Sequence, residues 1–328
     1  MRISVLGDGG WGTTLAILLS RKNYPVTLWG AFDNYTKLMA KSRRNPRFLP
    51  GIRIPREIEI TSDLKKAVSN KEIIVLAIPS QYTRGILKRI KGNFSKNTIF
   101  LSVTKGIEIK SSERISEVVN AQLGPVKLAV LSGPTIAGEV ARGIPTTCVV
   151  ASANKEIRKL LQGVFSTERF RVYTNSDVIG VELGGSLKNV IAIACGVSDG
   201  LGFGTNTKAA ILARGLAEIS RLGKAMGANP ETFSGISGLG DLVTTCISKQ
   251  SRNRFVGEQI GKGISLKSIY RHMEMVAEGV PTAKSAYALS KRYKVDMPIT
   301  KEVYRLLYKN KSPLQAVQDL MTRKTKEE

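Results

Sequence analysis

The sequence has few of the residues that build covalent or metal frameworks. It contains three cysteines and a single histidine, His272, in 328 residues. Cys148, Cys195 and Cys246 lie far apart in apolar or small-residue surroundings, so neither a disulfide framework nor paired metal-ligand spacing is present. We expect three reduced, partly buried thiols and no metal site. Any acid–base role is expected to fall to a residue other than histidine.

Long apolar runs are also scarce. No stretch approaches the roughly 20 apolar residues that cross a bilayer, and Met1 is followed at once by a strand-like segment, which leaves no room for a secretory or transit segment. The C-terminal residues 324–328 carry no recognisable address. We therefore expect no membrane insertion and a cytoplasmic location.

Acidic residues are few relative to basic ones, 26 against 50, which gives a net charge of +24. Such a field favours anionic ligands and speeds their capture. The basic residues are spread along the chain, the local runs (41–44, 65–66) are short, and no aromatic-interleaved basic tract occurs. We expect a small anionic ligand and no specific nucleic-acid partner, with weak nucleic-acid binding at low salt only.

The first half of the chain alternates apolar strands with helices. The predicted strands are 2–6, 26–29, 73–78, 99–103, 128–131 and 147–150. Helices are expected from Gly12 to about Arg21 and near 34–41. Near-continuous apolar strands separated by helices are typical of a parallel sheet covered on both faces, which is the doubly wound α/β class.

The pattern changes after about Asn175. Helical periodicity with glycine and proline punctuation continues to the C-terminus, with little that resembles a strand. Helices are expected near 177–195, 207–226, 239–245, 252–261, 282–292 and 299–308. We therefore predict an α/β domain over residues 1–180 and an all-α domain over residues 181–328, without a flexible linker.

A glycine-rich turn follows the first predicted strand. Gly7-Asp8-Gly9-Gly10-Trp11-Gly12 matches G-x-G-x-x-G between a strand and a helix. The first glycine permits the tight turn, the second lets a pyrophosphate approach the backbone, and Gly12 permits close helix–strand packing. Alone the pattern is weak, with a plain glycine-rich turn as the alternative, but its position directly after strand one predicts a dinucleotide site in a Rossmann-type sheet.

The end of the second strand bears on which dinucleotide binds. An acidic residue there would bind the ribose 2′-hydroxyl, whereas an arginine would favour a 2′-phosphate. Residues 29–33 contain no arginine, and their acid, Asp33, comes a few positions late. This favours NAD over NADP, although the positive field would tolerate a third phosphate.

One lysine stands out on an apolar helix. Lys188 lies in the glycine-dotted run 182–191. Because desolvation disfavours the charged form of a buried lysine, a lysine kept in a pocket is a candidate proton donor or acceptor. If Lys188 instead snorkels to solvent, its side chain will not face other site residues.

Four further clusters follow strand or helix ends. Lys105 follows a strand, with a solvated loop lysine as the alternative. Residues 132–135 can offer backbone N–H groups and a hydroxyl to an anion, or cap a helix. Asp241 follows two glycines and is a candidate site carboxylate, with a helix N-cap as the alternative. Residues 250–254 combine hydroxyl, guanidinium and amide groups suited to phosphate oxygens, with a charged helix start as the alternative.

Together these motifs resemble the bacterial-type NAD(P)-dependent glycerol-3-phosphate dehydrogenases. The similarity covers roughly Ile3 to Leu320. The matching segments are 7–12, 45–50, 103–106, 132–135, 182–193, 198–204, 238–243, 251–254 and 278–279. Because these motifs occur in the same order and with the spacing of the family, a chance match is negligible. The resemblance implies a Rossmann domain followed by an α-helical domain.

The resemblance also implies roles for matched residues. Lys188 would be the general acid/base, with Lys105 and Asp241 completing the catalytic set. The implied substrate contacts are Lys105, Gly133, Thr135, Lys188, Asp241, Ser251, Arg252 and Asn253. The implied cofactor contacts are Gly7, Gly9, Gly10, Trp11, Gly12, Phe32, Lys105, Ala137, Arg252, Val276 and Glu278.

The chain departs from the family pattern at a few positions. Ala31 and Phe32 stand where the family often has arginine or histidine, which puts NADPH preference in doubt. Thr135 stands where serine is also usual and keeps the hydroxyl. Ser186 replaces a usual alanine beside Lys188, and no change of role is expected.

The implied reaction is reversible hydride transfer between NAD(P)H and dihydroxyacetone phosphate, which yields sn-glycerol 3-phosphate for glycerophospholipid synthesis. Two alternatives stay open. One is a Rossmann dehydrogenase of another anionic 2-hydroxy or 2-amino compound, and the other is a dinucleotide-sensing, nucleic-acid-binding protein. The sequence leaves undecided the NAD or NADP preference, feedback inhibition, the physiological direction and the oligomeric state, with a homodimer among the options.

Overall fold

The computed structural model describes residues 1–273, 275–325 and 327. The chain forms two compact units, the first from Met1–Lys105 and Glu113–Glu182, the second from Gly106–Ser112 and Leu183–Glu328. Hydroxyls of the second unit hold the short segment Gly106–Ser112: Ser186 donates to the Gly106 carbonyl at 3.3 Å, and Ser285 donates to the Glu108 carbonyl at 3.1 Å. No feature of the sequence near residues 106–112 predicts that this segment belongs to the second unit.

The first unit contains every strand that the described residues form. The strands are β1 (Ile3–Leu6), β2 (Val26–Trp29), β3 (Arg44–Asn45), β4 (Leu49–Arg53), β5 (Glu59–Thr61), β6 (Ile73–Leu76), β7 (Ile99–Ser102), β8 (Lys127–Ser132), β9 (Thr146–Ala151) and β10 (Phe170–Asn175). The helices are α1 (Gly10–Arg21), α2 (Asp33–Ser42), α3 (Leu64–Val68), α4 (Ser80–Ile90), α5 (Ile115–Leu123), α6 (Ala137–Ala141) and α7 (Lys155–Phe165).

Eight strands form one sheet in the order β10-β9-β8-β7-β6-β1-β2-β5. The run from β5 to β8 is parallel throughout, and its order reverses between β1 and β6, which confirms the doubly wound Rossmann-type sheet. β9 pairs antiparallel with β8, so the prediction that 147–150 continues a parallel sheet is wrong. A continuous apolar sequence indicates that both faces of a strand are buried, but it does not determine whether the strand runs parallel or antiparallel to its neighbour.

The sheet is covered on both faces because alternate strand residues point to opposite sides. Ile3 and Val5 of β1 join a core cluster with Leu15 of α1. Leu6 joins the opposite cluster, which includes Phe100. Each fully buried aliphatic side chain contributes about 1.5–3 kcal/mol. The three-residue β5, the alternating edge strand β10 and the short β3–β4 hairpin carried too weak a signal to be predicted.

Among the described residues of the second unit, the regular elements from residue 183 onwards are all helices, joined by turns and loops, which confirms the predicted all-α part. Its helices are α8 (Val178–Gly200, which begins in the first unit), α9 (Thr205–Ala225), α10 (Asp241–Ile247), α11 (Arg252–Gly261), α12 (Leu266–Arg271), α13 (Gly279–Arg292), α14 (Pro298–Tyr308) and α15 (Pro313–Met321). Two short turns, Pro230–Ser234 (3-10) and Ile236–Gly240 (π), precede α10.

Helix α8, with 23 residues, is longer than the next helix α9, which has 21. A glycine on each helix permits α8 and α11 to approach closely. A Cβ at Gly196 of α8 would fall 2.8 Å from the carbonyl carbon of Arg254, and one at Gly257 of α11 would fall 2.8 Å from that of Ile193. By length and composition α8 could cross a membrane, so the prediction that no apolar run is long enough is wrong for this helix. However, 83% of its apolar window is buried inside the protein, as in the core helix of a globular unit.

Candidate active site

The turn between β1 and α1 has the geometry of an anion-binding helix start. Gly7 has φ +121°, and a Cβ there would fall 2.7 Å from the carbonyl carbon of Ala77 at the end of β6. Gly9 is the N-cap of α1, carries no capping side chain and faces open space within 4 Å of its Cβ position. A phosphate can therefore approach the amides of the first helical turn.

Other predicted cofactor residues surround this turn. A Cβ at Gly10 would lie 3.6 Å from the Ala137 Cβ, and Thr14 donates to the Ala137 carbonyl at 3.1 Å. Trp11 is half-buried, with its ring centroid 6.3 Å from that of Phe170. Phe32, which follows β2 beside β1, is 72% exposed and offers an aromatic face. These positions fit a dinucleotide.

Asn45 ties the β3–β4 hairpin to the glycine-rich turn, a role that sequence reasoning missed. This fully buried side chain donates from Nδ2 to the Asp8 carbonyl and to Thr13 Oγ1, both at 2.8 Å. Its Oδ1 accepts from the Tyr35 hydroxyl at 2.6 Å. The only sequence signal was its place at the head of the matching segment 45–50. The network holds the backbone of the turn in one conformation.

Lys105, Gly133 and Thr135 lie together in the first unit. Lys105 Nζ donates to the Gly133 carbonyl at 2.7 Å and to Thr135 Oγ1 at 3.2 Å. Gly133 has φ +142°, and a Cβ there would lie 2.9 Å from the Cα of Cys148, so a side chain is excluded. Ile136 precedes α6 as its N-cap, so Thr135 is not a helix cap. Lys105 is thus held by the loop rather than extended into solvent.

Lys188 and Asp241 form a buried ion pair within the second unit. Lys188 Nζ contacts Asp241 Oδ1, and the two residues are 5% and 1% exposed. Nζ also donates to Thr245 Oγ1 at 2.6 Å, and Thr245 in turn donates to the Asp241 carbonyl at 2.7 Å. Lys188 therefore does not snorkel, and the Asp241 carboxylate serves the lysine although it stands in the first turn of α10.

Thr245 was missed by sequence reasoning. The available signal was its spacing, because residues i and i+4 share one face of a helix and Thr245 follows Asp241 by that interval. Cys246, the next residue, is buried beside Cys195. A hydrogen bond with Cys195, followed by burial, raises the pKa of the Cys246 thiol, which keeps that thiol neutral beside the charged lysine.

The residues of the 250–254 cluster have separate roles. Ser251 is the N-cap of α11 and accepts from the Arg254 amide at 3.2 Å, which agrees with the helix-start alternative. Asn253 is buried and donates from Nδ2 to Asn189 Oδ1 at 2.9 Å, while its Oδ1 accepts from the Gly279 amide at 2.8 Å. Asn253 thereby joins the residue beside Lys188 to the start of α13.

Arg252, Val276 and Glu278 also come together. The exposed Arg252 donates from Nη1 to the Val276 carbonyl at 2.7 Å, and the Glu278 carboxylate lies near enough to act on its charge. No group of three His, Cys, Asp or Glu side chains in the described part of the chain is arranged to hold a metal ion.

Two family models match the chain in order. Residues 2–158 match the N-terminal part, and residues 177–318 the C-terminal part, of NAD-dependent glycerol-3-phosphate dehydrogenase. The chain belongs to the NAD-dependent glycerol-3-phosphate dehydrogenase family. The resemblance inferred from the ordered motifs is therefore confirmed, whereas the roles it implies for single residues remain predictions.

Individual members of this family match over their full length. The glycerol-3-phosphate dehydrogenase (NAD(P)+) of Thermoanaerobacter sp. strain X514 is 52% identical over 328 residues, covering 100% of this chain and 99% of the relative. That of Prosthecochloris aestuarii is 50% identical over 331 residues, covering 100% of both. The crystal structure of the Coxiella burnetii glycerol-3-phosphate dehydrogenase superposes with a TM-score of 0.95 at 40% identity, covering 98% of this chain and 99% of that one.

Proposed function

We propose that this chain catalyses the reversible transfer of hydride between NAD(P)H and dihydroxyacetone phosphate, with sn-glycerol 3-phosphate as the reduced product. Full-length relatives about half identical to it carry this activity in their names. The single observation on which the mechanism rests is Lys188, a buried lysine held by Asp241 and Thr245. Such a group is a proton donor that is protected from bulk water.

The first unit is assigned the dinucleotide. Gly9 leaves the approach to the first turn of α1 open, and the partial positive charge of that helix end would balance the pyrophosphate. Phe32 offers a flat apolar face and Ala137 a small one beside the turn. The nicotinamide ring, when bound, supplies or accepts the hydride.

Lys188 is assigned the proton. In the direction of reduction its ammonium donates to the substrate C2 oxygen as negative charge develops there, and in the reverse direction the amine takes the proton back. The Asp241 carboxylate balances the ammonium charge, and Thr245 Oγ1 directs the lysine head. General acid catalysis of this kind contributes roughly 10²–10⁴-fold to the rate.

The remaining cluster residues are assigned to binding the negatively charged groups of the substrate. Lys105 and Thr135 would stabilise charge on the reacting oxygen. Asn253 Nδ2 carries two hydrogens and donates one to Asn189, so the second can reach a phosphate oxygen, as can the exposed Arg252 guanidinium. Phosphate binding energy would then position C2 for reaction.

One experiment tests this function directly. Oxidation of NADH and of NADPH is followed in parallel with dihydroxyacetone phosphate, with unphosphorylated dihydroxyacetone and with unphosphorylated 2-oxo acids as acceptors. The proposal expects rapid turnover with dihydroxyacetone phosphate and little with the others. Faster turnover with a 2-oxo acid would instead assign the chain to the alternative dehydrogenase class.

Two broader properties complete the proposal. A cytoplasmic location is supported by the three cysteines, which are all free and buried, since thiols persist in a reducing compartment; cell fractionation tests it. A homodimer is proposed because C2 pairs are the commonest closed assemblies. Light scattering distinguishes it, since a dimer has twice the 35.7 kDa mass of the chain.

A further inference from the structure

Asp8, the second residue of the glycine-rich turn, lies against Gly30, the residue that follows β2. A Cβ placed on Gly30 would fall 2.7 Å from the Asp8 Cγ and 2.6 Å from the Thr36 Cγ2. Gly30 thus leaves a gap that the Asp8 carboxyl fills. The acid that β2 itself lacks is supplied from the neighbouring turn.

The Asp8 carboxyl is not satisfied by the protein. Its Oδ2 atom is buried and has no hydrogen-bond partner among the described residues. Burial raises the pKa of Asp8, and its own backbone amide and the charge of Arg47 oppose that effect. Buried polar atoms are nearly always hydrogen-bonded, so an orphaned carboxyl oxygen beside a ligand-binding turn calls for a donor from outside the chain.

The other acid near the end of β2 is already engaged. Asp33 pairs with Lys37 through Oδ2 at 2.7 Å and accepts from the Ser62 hydroxyl through Oδ1 at 2.7 Å. Both of its oxygens therefore have partners, Lys37 on α2 and Ser62 directly after β5. Of these two acids, Asp8 is therefore the one with a carboxyl oxygen that has no hydrogen-bond partner among the described residues.

We propose that Asp8 accepts a hydrogen bond from the adenosine ribose of the dinucleotide and that its charge disfavours a 2′-phosphate, so that the chain prefers NAD(H) to NADP(H). In Rossmann-type sheets a carboxylate at the end of the second strand performs this role. Here Asp8, in the turn after the first strand, takes this role, because Gly30 has no side chain and leaves space for the Asp8 carboxyl. This inference rests on the dinucleotide site of the proposed function.

One cation acts in the opposite direction. Arg47 is exposed, and its guanidinium lies 5.2 Å from the Phe48 ring centroid. It is close enough to Asp8 to affect its charge and would attract a 2′-phosphate. The preference therefore depends on the balance between Asp8 and Arg47, and removing the Asp8 charge shifts that balance towards NADP(H).

The test uses fragments that lack the nicotinamide and therefore does not depend on turnover. Titration calorimetry measures the dissociation constants of ADP-ribose and of 2′-phospho-ADP-ribose for the full chain and for its Asp8→Asn, Asp8→Ala and Asp33→Asn variants. Both Asp8 variants should lower the preference for ADP-ribose by about tenfold, since a charged hydrogen bond and a like-charge repulsion are both removed. Asp33→Asn should leave that preference unchanged.

A thermal melt of the unliganded protein separates this role from a structural one. An orphaned buried carboxylate destabilises the unliganded fold, so Asp8→Ala should melt at the same temperature as the parent or higher. An unchanged fragment preference in both Asp8 variants, or an equal loss for both fragments with a lower melting temperature, would overturn the proposal. A chain that discriminates the fragments through Asp8 but does not reduce dihydroxyacetone phosphate would refute the proposed activity alone.

Discussion

Lys188 of α8 and Asp241 of α10 pair in the interior of the second unit, although 53 residues separate them. Both charges are withdrawn from water, which costs free energy that their attraction only partly returns. Thr245 Oγ1 accepts a second hydrogen bond from the same ammonium. A pair of this kind adds little to stability compared with apolar residues of equal volume, so its presence agrees with a chemical role for the lysine.

Replacing the lysine should affect catalysis and stability together. In Lys188→Met we expect kcat to fall by at least about 10²-fold, because the proton donor is lost. The free energy of unfolding should fall by about 3–5 kcal/mol, because the buried Asp241 carboxylate loses its lysine partner. Steady-state kinetics and urea denaturation measure the two effects, while ADP-ribose affinity, a property of the first unit, should stay constant.

A double variant separates these two effects. Lys188→Met with Asp241→Leu removes both charges and should recover most of the lost stability without recovering activity. Near-normal turnover in either protein would show that Lys188 is not the proton donor.

The hydroxyl of Thr245 is expected to tune the lysine. Thr245→Val removes an acceptor that lies 2.6 Å from Lys188 Nζ and keeps the shape of the side chain. We expect kcat to fall by about 3–30-fold and the unfolding free energy by about 1–2 kcal/mol. Thr244→Val, the same substitution one position away on α10, is the matched control and should change neither. Equal losses in both variants would point to a general effect on α10.

Lys105 should matter for the substrate more than for the fold. Lys105→Met removes the donor to Gly133 and Thr135, and we expect kcat/KM for dihydroxyacetone phosphate to fall by about 10²–10³-fold. Lys105→Arg keeps the charge but not the geometry and should recover only part of the loss. The exposed Lys110 offers the control Lys110→Met. Comparable kinetics for the two Lys→Met variants would remove Lys105 from the catalytic set.

A buried glutamate should make stability depend on pH. Glu218 of α9 accepts from the Ile299 amide at 2.6 Å and the Thr300 amide at 3.0 Å at the start of α14, and burial raises its pKa from 4.5 to about 7. Between those values the folded protein holds more protons than the unfolded one. The contribution of this group is therefore complete below pH about 4.5 and is lost as pH rises towards about 7, by roughly 3 kcal/mol in total.

The glutamine variant isolates this contribution. Glu218→Gln cannot ionise, so the difference in unfolding free energy between variant and parent should change by about 2–3 kcal/mol between pH 5 and pH 8, in favour of the variant at the higher pH. Urea denaturation at both values measures it, with the exposed Glu231→Gln as control. A constant difference across this range would mean that Glu218 stays ionised in the folded state.

Much of the fold was predictable because its signals are local. Strand β1, the turn at Gly7 and helix α1 follow one another within about 20 residues, and each has its own pattern of apolar residues or glycines. The helical second half was predictable for the same reason, and α11 begins and ends where its periodicity indicated. Strand direction was not predictable at β9, since a buried strand has the same composition in either direction.

The sequence predicted which residues belong to the candidate site, but not which of their side chains contact one another. Lys188, Asp241, Lys105 and Thr135 were selected from motif matches, and the structure gives each of them a hydrogen-bonding partner in its own unit. Asn45 and Thr245 were missed because a buried asparagine or threonine has no distinctive local pattern. Their importance appears only when their partners are known.

The sequence by itself determined the class of fold, the family and the glycine-rich turn, because periodicity and turn chemistry are encoded within a few neighbouring residues. Only the tertiary structure decided that Asp241 faces Lys188 rather than capping α10, that Asp8 fills the space left by Gly30, and that Gly106–Ser112 joins the second unit. Each of these contacts joins residues that are distant in the chain. Packing selects such partners, and no local pattern records the choice.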